Sequence, residues 1–123
     1  MDEEELKRRT KLFGLRIIKL VAALPDTIIG RAIGGQLVRA GTSVGANYRA
    51  VCRSRSKAEF IARLGIVEEE ADESGYWMEL IVESGLMKLK LLQPLLCEAD
   101  ELVAIMVSSR ISAAMSRDAT KKR

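Results

Sequence analysis

Between residues 60 and 81 the side chains Phe60, Leu64, Val67, Ala71, Ser74, Met78 and Ile81 return at alternating steps of four and three. That is the period of an α-helix with one face against a partner, whereas a half-buried strand needs period two. The stripe is heptad-like and outlasts an average helix by about three turns. A long helix with one apolar stripe cannot bury that stripe alone, so the rest of the chain must supply matching helices.

It does so on both sides. Leu6, Phe13, Ile17, Leu20 and Leu24 lie at steps of 7, 4, 3 and 4, behind the acids 2–5 that suit a helix N-terminus, and Pro25 stops that helix. Asp26 is placed to cap a second helix, whose inner positions run from Ile29 and Ile33 through Leu37, Ala40, Val44 and Tyr48 to Val51. Ser56 and Glu59 form a capping box ahead of the third helix, and Ser84-Gly85 closes it with a C-cap glycine. Gln93-Pro94 opens a fourth helix with proline in its first turn, and Leu95, Leu102, Ile105, Met106 and Ser109 form its inner face. From Ser116 the polar tail is expected to fray.

The 123 residues therefore read as one all-α domain, 1–123, with helices at about 3–24, 26–52, 56–84 and 93–116. Short connections make neighbouring helices antiparallel, giving an up-down-up-down four-helix bundle.

Residues 39–50, RAGTSVGANYRA, interrupt this pattern with small and polar side chains. They lack the lysine-serine ending of a phosphate-binding loop and any preceding strand. A plain loop is the second option, but the apolar period passes through without a lapse. The third is a helix with an unusual inner face. Gln36, Arg39, Ser43 and Asn47 form a polar stripe, and Gly30, Gly34, Gly41, Gly45 and Ala46 let a neighbouring helix approach. Glu70, Glu73 and Trp77 border the stripe of the third helix at steps of 3 and 4, so Arg39 and Asn47 are expected to meet Glu70 and Glu73 between helices. Trp77 is read as core packing.

Composition narrows the function. There is no histidine, which removes the commonest general base and zinc ligand. Cys52 and Cys97 form no metal-ligand spacing and read as thiols in a reducing compartment. Glu69, Glu70 and Glu73 share one helix, but a di-iron bundle needs Glu-x-x-His motifs. Neither an enzyme, a metal nor a cofactor is expected. The run LFGLRIIKLVAAL is broken by Arg16 and Lys19, no signal peptide is visible, and a cytoplasmic protein is expected.

Charge is uneven. Residues 31–63 hold seven basic side chains against Glu59 alone, residues 64–101 hold ten acids against two lysines, and the chain ends in KKR. Arg49, Arg53, Arg55, Lys57 and Arg63 cluster around the turn between the second and third helices, with Lys11, Arg16 and the tail as additions. They are the candidate nucleic-acid-binding residues, contacting phosphates with little sequence preference because no base-reading module is present. The alternative is an interaction module that pairs basic and acidic surfaces between subunits, or anchors a partner on Tyr76 or Trp77.

QLVRAGTSVGANYRA, RSRSKAEF and EEEADESGYW resemble the small four-helix proteins encoded in intervening sequences of bacterial 23S ribosomal RNA genes, over about residues 10–112. They are also similar to accessory proteins of diversity-generating retroelements. The resemblance rests on Gln36, Leu37, Arg39, Ala40, Ser43 and Asn47, then Ser56 and Phe60, then Glu70, Glu73 and Trp77. Where many members continue I-A-E-G after the asparagine, this chain has Tyr48-Arg49-Ala50-Val51. The resemblance implies an antiparallel four-helix bundle that assembles as a homopentameric ring. For the retroelement relatives it implies a basic ring surface that meets RNA or DNA and a nucleic-acid-processing protein.

Overall fold

A computed structural model describes residues 1–121, and side chains as far as Ser116. It contains α1 (Glu3–Ala22), α2 (Ile28–Cys52), α3 (Lys57–Glu83) and α4 (Leu89–Lys121), with no strand among the described residues. Consecutive helices pack along their lengths, while α1 and α4 meet only sparsely. The result is an antiparallel four-helix bundle that is loosest along the α1–α4 seam.

The core holds Leu6, Phe13 and Ile17 of α1, Leu37, Val44 and Val51 of α2, the α3 stripe from Leu64 to Ile81, and Leu92, Leu95, Ala99, Leu102 and Met106 of α4. Each fully buried large aliphatic side chain contributes about 1.5–3 kcal/mol relative to exposure. Two polar side chains in the core, Thr10 and Ser74, satisfy their hydroxyls locally, on the carbonyls of Leu6 and Glu70.

The stretch 39–50 is helical throughout. Glycine is required at Gly41, where a Cβ would stand 2.8 Å from Ile17, so α1 lies directly against the α2 backbone. Gly34 and Gly45 extend this seam against Val21 and Thr10. Ala46 points away from it and is exposed, because it sits a third of a turn off the seam. Gly30 abuts the Pro25 carbonyl of the connecting loop instead of a neighbouring helix.

The start of α2 and both ends of α4 differ from the sequence reading, and the capping box of α3 is only half made. Thr27, not Asp26, caps α2, its Oγ1 accepting from the Gly30 amide at 3.0 Å. Asp26 is free to pair with Arg31 instead. Ser56 caps α3 through the Glu59 amide at 3.1 Å, but the Glu59 carboxylate turns to Arg63 and leaves the box half made. Helix α4 begins at Leu89, which places Pro94 inside it. The earlier start buries Leu92, and Lys90, whose carbonyl Pro94 cannot serve, is an exposed residue, as is Pro94. At the other end α4 continues past Ser116 to Lys121, where fraying was expected. The C-terminus of α3 follows its sequence signal: Gly85 has φ +80°, and the Leu86 amide donates to the Ile81 carbonyl at 3.1 Å.

Candidate nucleic-acid interface

The turn that joins α2 to α3 gathers five basic side chains at one end of the bundle. Arg49 lies on the last turn of α2, Arg53 and Arg55 on the turn itself, and Lys57 and Arg63 on the first turns of α3. They do not act alike. Arg63 is half-buried, donates through Nη1 to the Ala50 carbonyl at 2.7 Å, and pairs with Glu59 at 2.7 Å. It ties the start of α3 to the end of α2. Lys57 donates to the Ser116 hydroxyl at 2.8 Å, joining α3 to α4. Arg49, Arg53 and Arg55 are exposed and form no ion pair among the described residues.

Two cavities flank Arg55. One, of about 450 Å³, is lined by Ala50, Arg53, Arg55, Glu59 and Arg63. The other, of about 620 Å³, opens between the turn and α4. Lys11 is exposed on α1, far along the chain from the turn, and Arg16 lines a separate groove with Lys19 and Leu91 between α1 and α4. The KKR ending lies outside the residues whose side chains are described.

The polar stripe of α2 forms a network, with one member placed differently from expectation. Arg39 pairs with Glu73 and reaches Glu70 at 3.5 Å, while Gln36 Oε1 accepts from Arg39 Nε at 3.3 Å. Trp77 Nε1 donates to Glu73 Oε2 at 3.0 Å, so this half-buried indole packs on the core and also closes the network. Ser43 donates to the Arg39 carbonyl, and Asn47 to the Ser43 carbonyl at 2.8 Å. Asn47 therefore does not meet the α3 acids. At helical spacing it stands two turns beyond Arg39, and its short side chain finds its own backbone first. The network is half exposed, with the Arg39 side chain 48% accessible.

Two ion pairs carried no sequence signal. Arg9 binds Glu98 through two hydrogen bonds of 2.7 Å and Glu101 at 2.9 Å, bridging the sparse α1–α4 seam. The guanidinium holds the Glu98 carboxyl below the usual carboxylate range. Arg110 binds Glu68 at 3.1 Å between α4 and α3. Tyr48 is buried at the C-terminal end of α2 beside Cys52, and burial, then the Cys52 thiol, push its phenol well above its ordinary value. Burial, then Glu3, likewise raise the Cys52 thiol.

No cluster of three or more metal-ligating side chains occurs among the described residues, and no described helix is long and apolar enough to cross a membrane.

The family described as "23S rRNA-intervening sequence protein" matches residues 3–108. Among solved structures, a protein with unknown function from the S23 ribosomal protein family of Bacteroides thetaiotaomicron superposes with a TM-score of 0.80 at 28% identity, over 85% of this chain and 97% of that one. Neither description names an enzymatic activity. No curated protein matches the chain.

Proposed function

The chain belongs to the 23S rRNA-intervening sequence protein family, and on that premise we propose that it is a non-enzymatic, cytoplasmic scaffold that binds RNA or DNA backbone. The observation that carries the reading is the cluster of Arg49, Arg53 and Arg55, exposed and without carboxylate partners among the described residues, while Arg9, Arg31, Arg39, Arg63 and Arg110 are paired. Unpaired guanidiniums at one end of a rigid bundle are free to take phosphates.

Self-association multiplies that end. Leu12, Leu15 and Ile18 form an exposed apolar strip on α1, between 47% and 55% accessible, suited to a second copy. The family resemblance sets the expected copy number at five. Several weak phosphate-binding ends on one assembly act together.

Size-exclusion chromatography with light scattering, with and without a structured RNA at low and moderate salt, tests both parts. The expected result is an oligomer that co-elutes with RNA at low salt and releases it as salt rises. Arg53→Glu with Arg55→Glu abolishes co-elution and leaves the mass unchanged. An assembly that ignores RNA at every salt concentration overturns the reading.

A second reading, a protein-interaction module, is favoured by Tyr76. It is 52% exposed beside an acidic groove containing Asp72, Glu79 and Asp100. An affinity pull-down that loses a defined partner on Tyr76→Ala, with no response to RNA, supports it over the first.

A further inference from the structure

From the two cavities on either side of Arg55 we infer that the nucleic acid bound at this end is single-stranded, with one nucleoside seated in the larger cavity and its phosphate on the arginine side. The inference rests on the nucleic-acid reading above and adds the ligand's class and pose.

The two cavities differ chemically. The smaller is a guanidinium slot, with Arg53 and Arg55 free and Arg63 fixed beside them by Glu59 and the Ala50 carbonyl. The larger, about 620 Å³, lies within the range of about 300–1,000 Å³ usual for small-ligand sites. Its walls include the half-buried Phe60 ring and serine hydroxyls from the α2–α3 turn and from α4. An aromatic face beside hydroxyls suits an unstacked base and its ribose.

Glu3 decides which part of the ligand goes where. Its carboxylate lines the larger cavity together with Lys57, whose ammonium donates to the Ser116 hydroxyl, so this side is less positive than the arginine slot and a neutral base or sugar finds an acceptor there. Ser54 also lines this cavity, and its hydroxyl is buried without a hydrogen-bond partner. Rotation about its Cα–Cβ bond gives that hydroxyl a partner on a ligand in the cavity. Arg55 lines both cavities and sits where the phosphate joins the nucleoside. A duplex keeps its bases stacked inside and cannot fill the larger cavity.

Fluorescence anisotropy with a short RNA strand, and with the duplex of the same sequence at the same salt, tests the inference on the full chain. The expected result is single-strand binding about tenfold tighter than duplex binding. Ser112→Phe, on the exposed α4 rim of the cavity, removes that advantage and leaves duplex binding unchanged. Equal affinity for strand and duplex, with no effect of Ser112→Phe, overturns the nucleoside pose but leaves the basic surface standing. Failure of both RNAs to bind overturns the basic surface and the pose together. A 4-thiouridine strand cross-linked to the unaltered protein covers the case in which Ser112→Phe does not fold. Cross-links to the peptides bearing Phe60 or residues 109–116 support the pose, and cross-links confined to other peptides overturn it.

Discussion

Arg9 and Arg53 are the same residue type in opposite situations. Arg9 closes two short hydrogen bonds on Glu98 and a third on Glu101, across a seam where α1 and α4 otherwise barely touch. Arg53 stands exposed on the α2–α3 turn with no ion pair among the described residues. The Arg9 group holds helices to one another, while the Arg53 group adds charge to a surface that the fold does not need. Net charge alone assigns both to one basic total; only their partners separate scaffold from surface.

Removing the charges one at a time should break that contrast or sharpen it. The largest effect on stability is expected for Arg9→Met, which leaves Glu98 half-buried and unpaired. Urea denaturation should show a loss of about 1–2 kcal/mol. A loss no larger than that of an exposed arginine would erase the distinction.

The next effect is in pH. The Glu98 carboxyl is held low by its hydrogen bonds to Arg9, so its contribution is present above the ordinary carboxylate pKa and is lost as pH falls through the lowered value. The urea midpoint should stay flat from neutral pH to about pH 5 and fall below it, with a shallower fall in Glu98→Gln. Identical acid limbs for the two proteins would show that the bridge adds nothing.

Arg39→Ala comes third. Its network is half open to solvent, so a cost of about 0–1 kcal/mol is expected in the same assay. The smallest effect is that of Arg53→Ala, within about 0.5 kcal/mol of the parent. A larger destabilisation would assign Arg53 to the scaffold and weaken its reading as a binding residue.

Local signals in the chain led to much of this architecture. The α3 stripe is buried from Leu64 to Ile81, and the Ser56 cap and the Gly85 turn stand where their residue types require. Residues 39–50 are helical because an unbroken apolar period outweighs two glycines, Gly41 and Gly45, that close packing against Ile17 and Thr10 of α1 favours. Misplaced features share a cause. Pro94 signals a helix start, but burial of Leu92 draws α4 back to Leu89. Asp26 and Thr27 are adjacent capping residues, and only the path of the loop selects Thr27. Of the five basic candidates at the turn, Arg63 and Lys57 make bonds within the fold. Glu59 four residues before Arg63 is a local signal for that pair, but nothing in its own segment distinguishes Lys57 from Arg53.

Periodicity and capping are properties of neighbours in sequence, so the residues alone determined an all-α chain, its inner stripes except at Ile29, which is exposed at the start of α2, and the basic character of one turn. Which charges are neutralised depends on groups brought together from distant positions, as with Arg9 and Glu98 at a separation of 89 residues. Only the tertiary structure decided that pairing, the sparse α1–α4 seam and the two cavities around Arg55. Each depends on the distance between helices, and that distance is set by side-chain packing across the whole bundle.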